Sequence, residues 1–472
     1  MLNKTKIIST IGPSTNHPHL ISKLIKNGMN VARLNMSHES SPEEIKTIIK
    51  SIRLEAKKLD KHIGIMMDIS GPKIRVDLSN IGNEKVEITE GHVYTLGYSK
   101  MNDIPINMEI EFKDSMDSKA CVKIDDGNIN FKIIKIKNNI IKLKALENGI
   151  ILSNKGVNFP GLSLNIPPVT PKDKKDIKLG IKLEIDWFAL SFVRSPNDIK
   201  PFLKCYKDNN VTIPVIAKIE KPEAVKNLDE IIDAFNGVLI ARGDLGVEMS
   251  LSMLPVLQKK IIKKCRLKKK PVIIATQMLE SMTKNSSPTR AEVSDVATSV
   301  YQGADSVMLS GETAVGDYPI ESVAMMTEII TNIEKEMFKN EENKIRIEMD
   351  KDYRSAIGEA VKTISKHLEV NSIVVMTESG STARIVSHYR TQVNIFALSP
   401  SLDICNRMSL FWGVTPILTN EYLSTDEMLI DAERILLDKK YMKKGQTFIM
   451  TAGAPVGVAG STNMLKIQKI GS

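Results

Sequence analysis

The sequence predicts an α/β chain: a (β/α)8 TIM barrel with an inserted small β-barrel domain and a C-terminal α/β domain. Three observations lead there. Strand-like apolar runs alternate with stretches of helical periodicity, and eight such runs precede residue 310. The runs between 215 and 312 look buried on both faces and end in polar residues, as in a parallel sheet with its chemistry at the carboxyl ends of the strands. About a hundred residues, 71–171, interrupt the alternation, far more than an ordinary β/α loop.

In chain order, barrel strands are expected near 5–11, 30–34, 63–67, 186–191, 213–217, 237–241, 271–275 and 305–309, with helices at 223–234, 253–268 and 290–301 between the later ones. The interruption reads as all-β: short runs at 86–88, 93–96, 122–124 and 140–145, with turn chemistry at Asp126-Gly127, Asn138-Asn139 and Asn148-Gly149. Pro167, Pro168 and Pro171 mark the return, and a β domain on a barrel loop is well placed to act as a lid. A closing helix at 320–335 and a charged linker at 339–352 follow. The alternation then restarts with helices at 356–368 and 383–389 and strands at 372–376, 394–398, 414–418 and 447–450. The expected domains are therefore 1–70 with 171–345 (barrel), 71–170 (inserted all-β lid) and 346–472 (C-terminal α/β, for effector binding or oligomerisation).

A chain of 472 residues exceeds one ordinary core, and 42% hydrophobic with 26% charged residues suits a globular protein. No apolar run approaches the roughly 20 residues that span a bilayer. The first six residues lead at once into a strand and lack a signal-peptide core, so a cytoplasmic location is expected. Cys121, Cys205, Cys265 and Cys405 stand singly, without metal or redox spacing. The formal charge of +9 is spread along the chain, and aromatics are only 5% and dispersed, which argues against a nucleic-acid partner. A basic surface also steers anionic metabolites.

The chemistry gathers at strand ends. Glu220 and Asp244 close adjacent strands, and Mg²⁺ favours one or two carboxylates completed by water and substrate oxygens. Lys218 shares a strand face with Glu220, so it either neutralises a phosphoryl group in transfer or simply pairs with that acid. Gly243 and Gly246 flank Asp244 and let the backbone approach an anion. Thr276 is either a helix cap or a site hydroxyl. Ser310 and Glu312 offer either a proton relay or a cap. A second cluster leaves the second and third strands: Arg33, Asn35, Met36, Ser37 and His38, then Asp68 to Arg75. Arg33 and Arg75 fit phosphate oxygens by their fork geometry. The inventory has cations, carboxylates and hydroxyls but no nucleophile beside a base, which suits phosphoryl transfer. No Walker loop or protein-kinase signature is present.

At this point the chain resembles the pyruvate kinase family. The residues that carry the likeness are 5–14, Ala32 to His38, Lys218-Ile219-Glu220, Ala241 to Glu248, Ala275 to Met278, Pro288 to Glu292 and Met308 to Thr313, in family order over almost the whole chain. The resemblance implies transfer of the phosphoryl group of phosphoenolpyruvate to ADP, giving ATP and pyruvate, with Mg²⁺ (or Mn²⁺), in a homotetramer. It implies that Arg33 holds the substrate phosphate, Lys218 stabilises the transferring group, and Glu220 and Asp244 bind the metal. Gly243, Asp244 and Thr276 would contact phosphoenolpyruvate or pyruvate, with enol protonation through water, Thr276, Ser310 and Glu312. Asn35, Met36, Ser37, His38, Arg75 and Lys155 would face the nucleotide.

One departure stands out. Many members carry Asp-Thr-Lys-Gly-Pro-Glu where this chain has Asp68-Ile69-Ser70-Gly71-Pro72-Lys73. The Glu form is associated with a monovalent cation bound by residues matching Asn35, Ser37, Asp68 and the Ile69 carbonyl. The Lys73 ammonium is expected to supply that charge, making K⁺ dispensable. Thr377, Ser379, Gly380, Ser381 and Thr382 resemble the family's effector-phosphate loop, with 453–462 closing over it, for a sugar-phosphate or nucleotide effector. The rival readings are another phosphoenolpyruvate/pyruvate barrel enzyme, which the insertion and nucleotide-side cluster oppose, and a non-catalytic binding paralogue. The paralogue predicts loss of Lys218, Glu220, Asp244 or Thr276, and all four are present.

Overall fold

A computed structural model of the chain describes residues 3–37, 40–79, 82, 84–111, 120–137, 139–162, 164–206, 212–339, 352–453 and 462–471. Eight parallel strands close a barrel: β1 (Lys6–Ile11), β2 (Met29–Asn35), β3 (Gly64–Ile69), β4 (Trp187–Leu190), β5 (Val215–Ile219), β6 (Gly237–Ala241), β7 (Val272–Ala275) and β8 (Ser306–Leu309). Each pairs with the next, and β8 closes on β1 with Lys6 opposite Ser306. The strands are buried almost throughout because helices cover their outer face and side chains fill the interior. All eight expected strands are found, their ends within two residues of the expected ones.

Local chemistry starts the helices. Ser41 and Glu44 form a capping box before Pro42–Lys58, Thr170 and Asp173 one before Pro171–Lys182, and Thr289 and Glu292 one before Arg290–Tyr301. The single helix expected over 223–234 is instead two, Pro222–Lys226 and Leu228–Ala234. Asn227 breaks it: its side-chain N–H donates to the Arg194 carbonyl at 2.8 Å, and its backbone leaves the helical region.

Between β3 and β4 the chain builds the inserted domain from a six-stranded sheet and a two-stranded one around a single apolar core that includes Ile104, Phe131, Leu143 and Ile151. Strands the sequence reading did not place are Ile129–Lys137, Gly149–Leu152 and two short ones, Ile104–Pro105 and Val157–Asn158. The expected Asp126-Gly127 turn is present, with left-handed backbone at both residues. The two crossings between barrel and insertion meet at one buried carboxylate. Asp173 accepts from the Gly71 N–H at 3.2 Å and from Thr170 N–H at 2.7 Å.

The C-terminal unit is a five-stranded sheet ordered Val414–Leu418, Asn394–Ser399, Ser372–Met376, Thr447–Gly453 and Thr462–Lys469, parallel except for the last strand. That half-exposed antiparallel edge was not foreseen. This unit caps the N-terminal end of the barrel. Barrel-interior residues Ile8, Met66, Trp187 and Ile273 share one core cluster with Val361, Phe411 and Ile449. Of the expected linker, 340–351 lies outside the described residues, as does 454–461 of the expected closing loop.

Candidate active site

At the other end of the barrel, carboxyl ends of the strands bring the predicted residues Arg33, Asp68, Lys218, Glu220 and Asp244 into one mouth. Arg33, at the end of β2, is 8% exposed. Its Nε donates to Asp68 Oδ2 at 2.8 Å and one terminal nitrogen to Thr10 Oγ1 at 3.0 Å, so the guanidinium is held from two sides. Lys218, on β5, reaches Ser191 Oγ at 2.8 Å, Glu220 Oε1 at 2.9 Å and Asp68 Oδ1 at 3.2 Å. Asp68 therefore bridges the two cations from β3.

Burial alone would pull the Lys218 ammonium down, but Asp68 and then Glu220 outweigh it and hold it well above the ordinary lysine value. Burial likewise pushes the Asp68 carboxyl up, yet Lys218 and Arg33 overcome it and keep it below the usual range. Glu220 goes the other way. Burial raises it, Lys218 opposes, and the like charge of Asp244 adds to the rise. Two carboxylates that repel across neighbouring strand ends fit a divalent hard cation, which relieves both burial and repulsion.

Thr276 and Gln277 follow β7 with φ of 69° and 53°, a left-handed backbone that is costly for a β-branched threonine. The arrangement is held from outside. Arg242 donates to the Thr276 carbonyl at 2.7 Å while pairing with Asp295, and Thr276 Oγ1 accepts the Gly243 N–H at 2.8 Å. The Thr276 hydroxyl thus satisfies a first-turn amide of helix Arg242–Glu248 and donates to the Ala275 carbonyl at 2.6 Å. Ser310 follows β8. Glu312, fully buried, accepts from the Ser310 N–H at 2.7 Å and the Leu279 N–H at 3.1 Å, so both its oxygens fasten backbone around Ser310.

The nucleotide-side residues divide between barrel and insertion. Asn35 turns its carbonyl oxygen onto the Ser37 N–H at 3.2 Å. Met36 is buried, with its carbonyl accepting from Ser70 Oγ and Lys172 Nζ. His38 lies outside the described residues. Arg75 donates to the Asn154 carbonyl at 2.8 Å, and Lys155 pairs with Asp125 at 2.7 Å, both within the insertion. Lys73 meets Asp244 at 3.3 Å, and among the described residues no hydrogen bond joins it to Asn35, Ser37 or Asp68. Ile69 closes β3 fully buried. In the C-terminal unit, Gly380 at φ 76° opens helix Ser381–His388, its N–H on Thr377 Oγ1 at 3.0 Å. Ser379 and Ser381 share a hydroxyl bond, and Thr382 meets Thr462.

Three residues of the mouth escaped the sequence reading. Thr10 and Ser191 orient Arg33 and Lys218, and Phe192, left-handed at φ 56°, donates its N–H to Glu220 Oε2 at 2.7 Å. Their signal was positional only: each sits at or near the end of a barrel strand.

Two family models match the chain. Residues 2–323 match the pyruvate kinase barrel domain and residues 355–468 the pyruvate kinase alpha/beta domain. Pyruvate kinases of Staphylococcus aureus strains MRSA252 and USA300 are each 39% identical over 480 aligned residues, spanning all of this chain and 81% of theirs. The crystal structure of a pyruvate kinase from Cryptosporidium parvum superposes with a TM-score of 0.91 at 31% identity, covering 99% of this chain and 96% of that one. With two domain models and relatives aligned over the whole of this chain, the chain belongs to the pyruvate kinase family and is a phosphotransferase.

Proposed function

We propose that the barrel mouth transfers the phosphoryl group of phosphoenolpyruvate to ADP. The bond between phosphorus and the enol oxygen breaks, a bond from the ADP terminal oxygen to phosphorus forms, and the enolate takes a proton at carbon to become pyruvate. The observation that carries the reading is Lys218, buried and held charged between Asp68 and Glu220 beside the clamped Arg33. Phosphoryl transfer needs charge placed in advance more than it needs a nucleophile.

In this reading Arg33 orients the substrate phosphate, its fork fixed by Asp68 and Thr10. Lys218 neutralises the group in transfer. Glu220 and Asp244 would hold Mg²⁺ or Mn²⁺, which when bound supplies further neutralisation of phosphate oxygens. Gly243 and Thr276 line the pyruvate end, with Thr276 and Ser310 moving the proton to the enolate. Glu312, both oxygens committed to backbone, keeps Ser310 in place. Asn35, Met36, Ser37, His38, Arg75 and Lys155 face ADP, the last two carried in by the insertion.

Lys73 deepens the reading on monovalent cations. Asp68, which would ligate K⁺, is already occupied by Arg33 and Lys218, while the Lys73 ammonium reaches Asp244. The mouth thus carries a built-in monovalent charge, and turnover proceeds without K⁺. The effector-type loop at 377–382 serves a sugar phosphate or nucleotide, in a homotetramer.

The test is ADP-dependent pyruvate formation from phosphoenolpyruvate with Mg²⁺, in K⁺ and in a tetraalkylammonium salt. Activity in both salts is expected. Activity in K⁺ alone keeps the enzyme and removes the Lys73 argument, and inactivity of folded protein in both removes the reading itself.

A further inference from the structure

The seam between the barrel and the C-terminal unit buries a guanidinium that has no partner. Arg266 lies in the last turn of helix Leu254–Leu267 and is only 7% exposed. Its side chain makes no hydrogen bond or ion pair among the described residues, and its Nε is fully enclosed. Buried arginines are as a rule paired, because taking an unpaired charge out of water is costly. The carbonyl end of a helix favours a cation, but by far less than that cost.

The neighbours of Arg266 deepen the imbalance. Gly303 packs on the guanidinium so closely that a Cβ there would lie 3.0 Å from Nη1. The carbonyl of the same glycine accepts from Arg390 Nη2 at 3.0 Å, so the two arginines share one backbone wall. Arg390 also pairs with Asp305 through Nη2 and lies over Trp412, yet its Nε and Nη1 are buried without a hydrogen-bond partner among the described residues. His388, likewise 7% exposed, ends helix Ser381–His388 with Nε2 in the same state. Burial first, then Arg390, Arg266, Lys269 and Arg384, hold that imidazole down at about 2, so it stays neutral. Asp305, the carboxylate that offsets Arg266, is already committed: its oxygens take Arg390 and the Val272 N–H.

We propose that this seam binds a small monovalent anion of the chloride class between Arg266, Arg390 and His388, and that the ion fastens the C-terminal unit to the barrel. Arg266 comes from the barrel, and Arg390 and His388 come from the C-terminal unit, so one ion answers charges from both sides. The enclosed N–H groups at Arg266 Nε and Arg390, with His388 Nε2 as a third donor, are what the ion accepts from. Enclosure selects the ion, since a halide sheds its water at lower cost than a doubly charged phosphate. The site stands at the opposite end of helix Ser381–His388 from the 377–382 loop, and it is independent of the proposed reaction.

The probe is bromide, in crystals of the full chain measured at the bromine absorption edge. An anomalous peak between Arg266 and His388 is expected. In solution, urea midpoints at constant ionic strength compare sodium chloride with sodium gluconate. At chloride about ten times its Kd, the folding equilibrium constant should rise about tenfold. Arg266→Met removes the unpaired cation, so it should ignore the exchange of salts and unfold no earlier than the wild type in gluconate. Should Arg266→Met fail to fold, the bromide map of the wild type decides. No peak at the seam, equal wild-type midpoints in the two salts, or a chloride response that survives in Arg266→Met overturns the site. Displacement of bromide by equimolar phosphate overturns the choice of a halide.

Discussion

The two ends of the barrel bury the same kinds of charge and treat them in opposite ways. At the N-terminal end Lys4 and Lys6 are drawn down by burial, to about 7 and about 8, while at the other end the equally buried Lys218 is raised. Asp186 and Asp68 show the mirror image: burial lifts the first to about 6, and the second is lowered. The difference lies in the partners. Lys4 and Lys6 donate to the Val393 and Val414 carbonyls of the C-terminal unit, and Asp186 accepts from the Ile65 N–H as well as Arg53. Glu334 opposes the fall of the two lysines and Arg53 the rise of Asp186, but at this end burial outweighs the single countercharge. At the mouth, Arg33, Asp68, Lys218 and Glu220 are each other's countercharges. One end is sealed for stability, and the other keeps full charges ready for a substrate.

The largest test of that contrast is Lys218→Met. Turnover should fall by about 10³-fold or more, with Mg²⁺ binding and the folded state retained. Collapse of folding together with activity, seen in thermal melts, would show that the mouth is structural after all. Arg390→Ala probes the sealed end. Arg390 pairs with Asp305 at 2.8 Å and lies over Trp412, so its loss strands a carboxylate under the C-terminal unit. A stability loss of about 3 kcal/mol is expected in urea melts, with kcat of the folded enzyme unchanged.

Glu220→Gln should raise the Mg²⁺ concentration for half-maximal activity by about 100-fold, equivalent to about 2.7 kcal/mol, while melts without metal hold or improve because a raised, repelling carboxylate is removed. A further test is on pH. Lys4 titrates near 7 when folded and 10.5 when unfolded, so between those values the unfolded chain binds more protons and stability should climb with pH. Asp186 works oppositely: folded near 6 against 3.8, it holds a proton that the unfolded chain has lost, so its contribution falls from pH 4 to 6. Urea midpoints measured from pH 7 to 10 on wild type and Lys4→Met should show the shallower slope in the variant.

Much of this molecule was legible in its residues. All eight barrel strands showed as apolar-rich runs because both of their faces are buried, and the helix expected from 290 does start there, fixed by a capping box of Thr289 with Glu292. Strand Thr462–Lys469 was not legible, since a half-exposed edge that is antiparallel to its neighbour lacks such a run. Neither was the break at Asn227, which depends on the distant Arg194 carbonyl. Within the mouth, Arg33, Lys218, Glu220, Asp244 and Thr276 were recognisable by type and place at strand ends. Ser191, Thr10 and Phe192 were not, because hydroxyls and a backbone N–H acquire their meaning only from what stands opposite.

The sequence by itself determined the periodicities, the position of the long insertion, and which acids and bases end which strands, since these follow from spacing and local chemistry. Tertiary structure alone decided which of those charges answer each other. It set Asp68 between Arg33 and Lys218, turned Lys73 toward Asp244, and made the barrel interior continuous with the C-terminal core. The reason is physical: a charge's titration and reactivity depend on burial and on partners within a few ångströms, and those are set by the closure of the barrel.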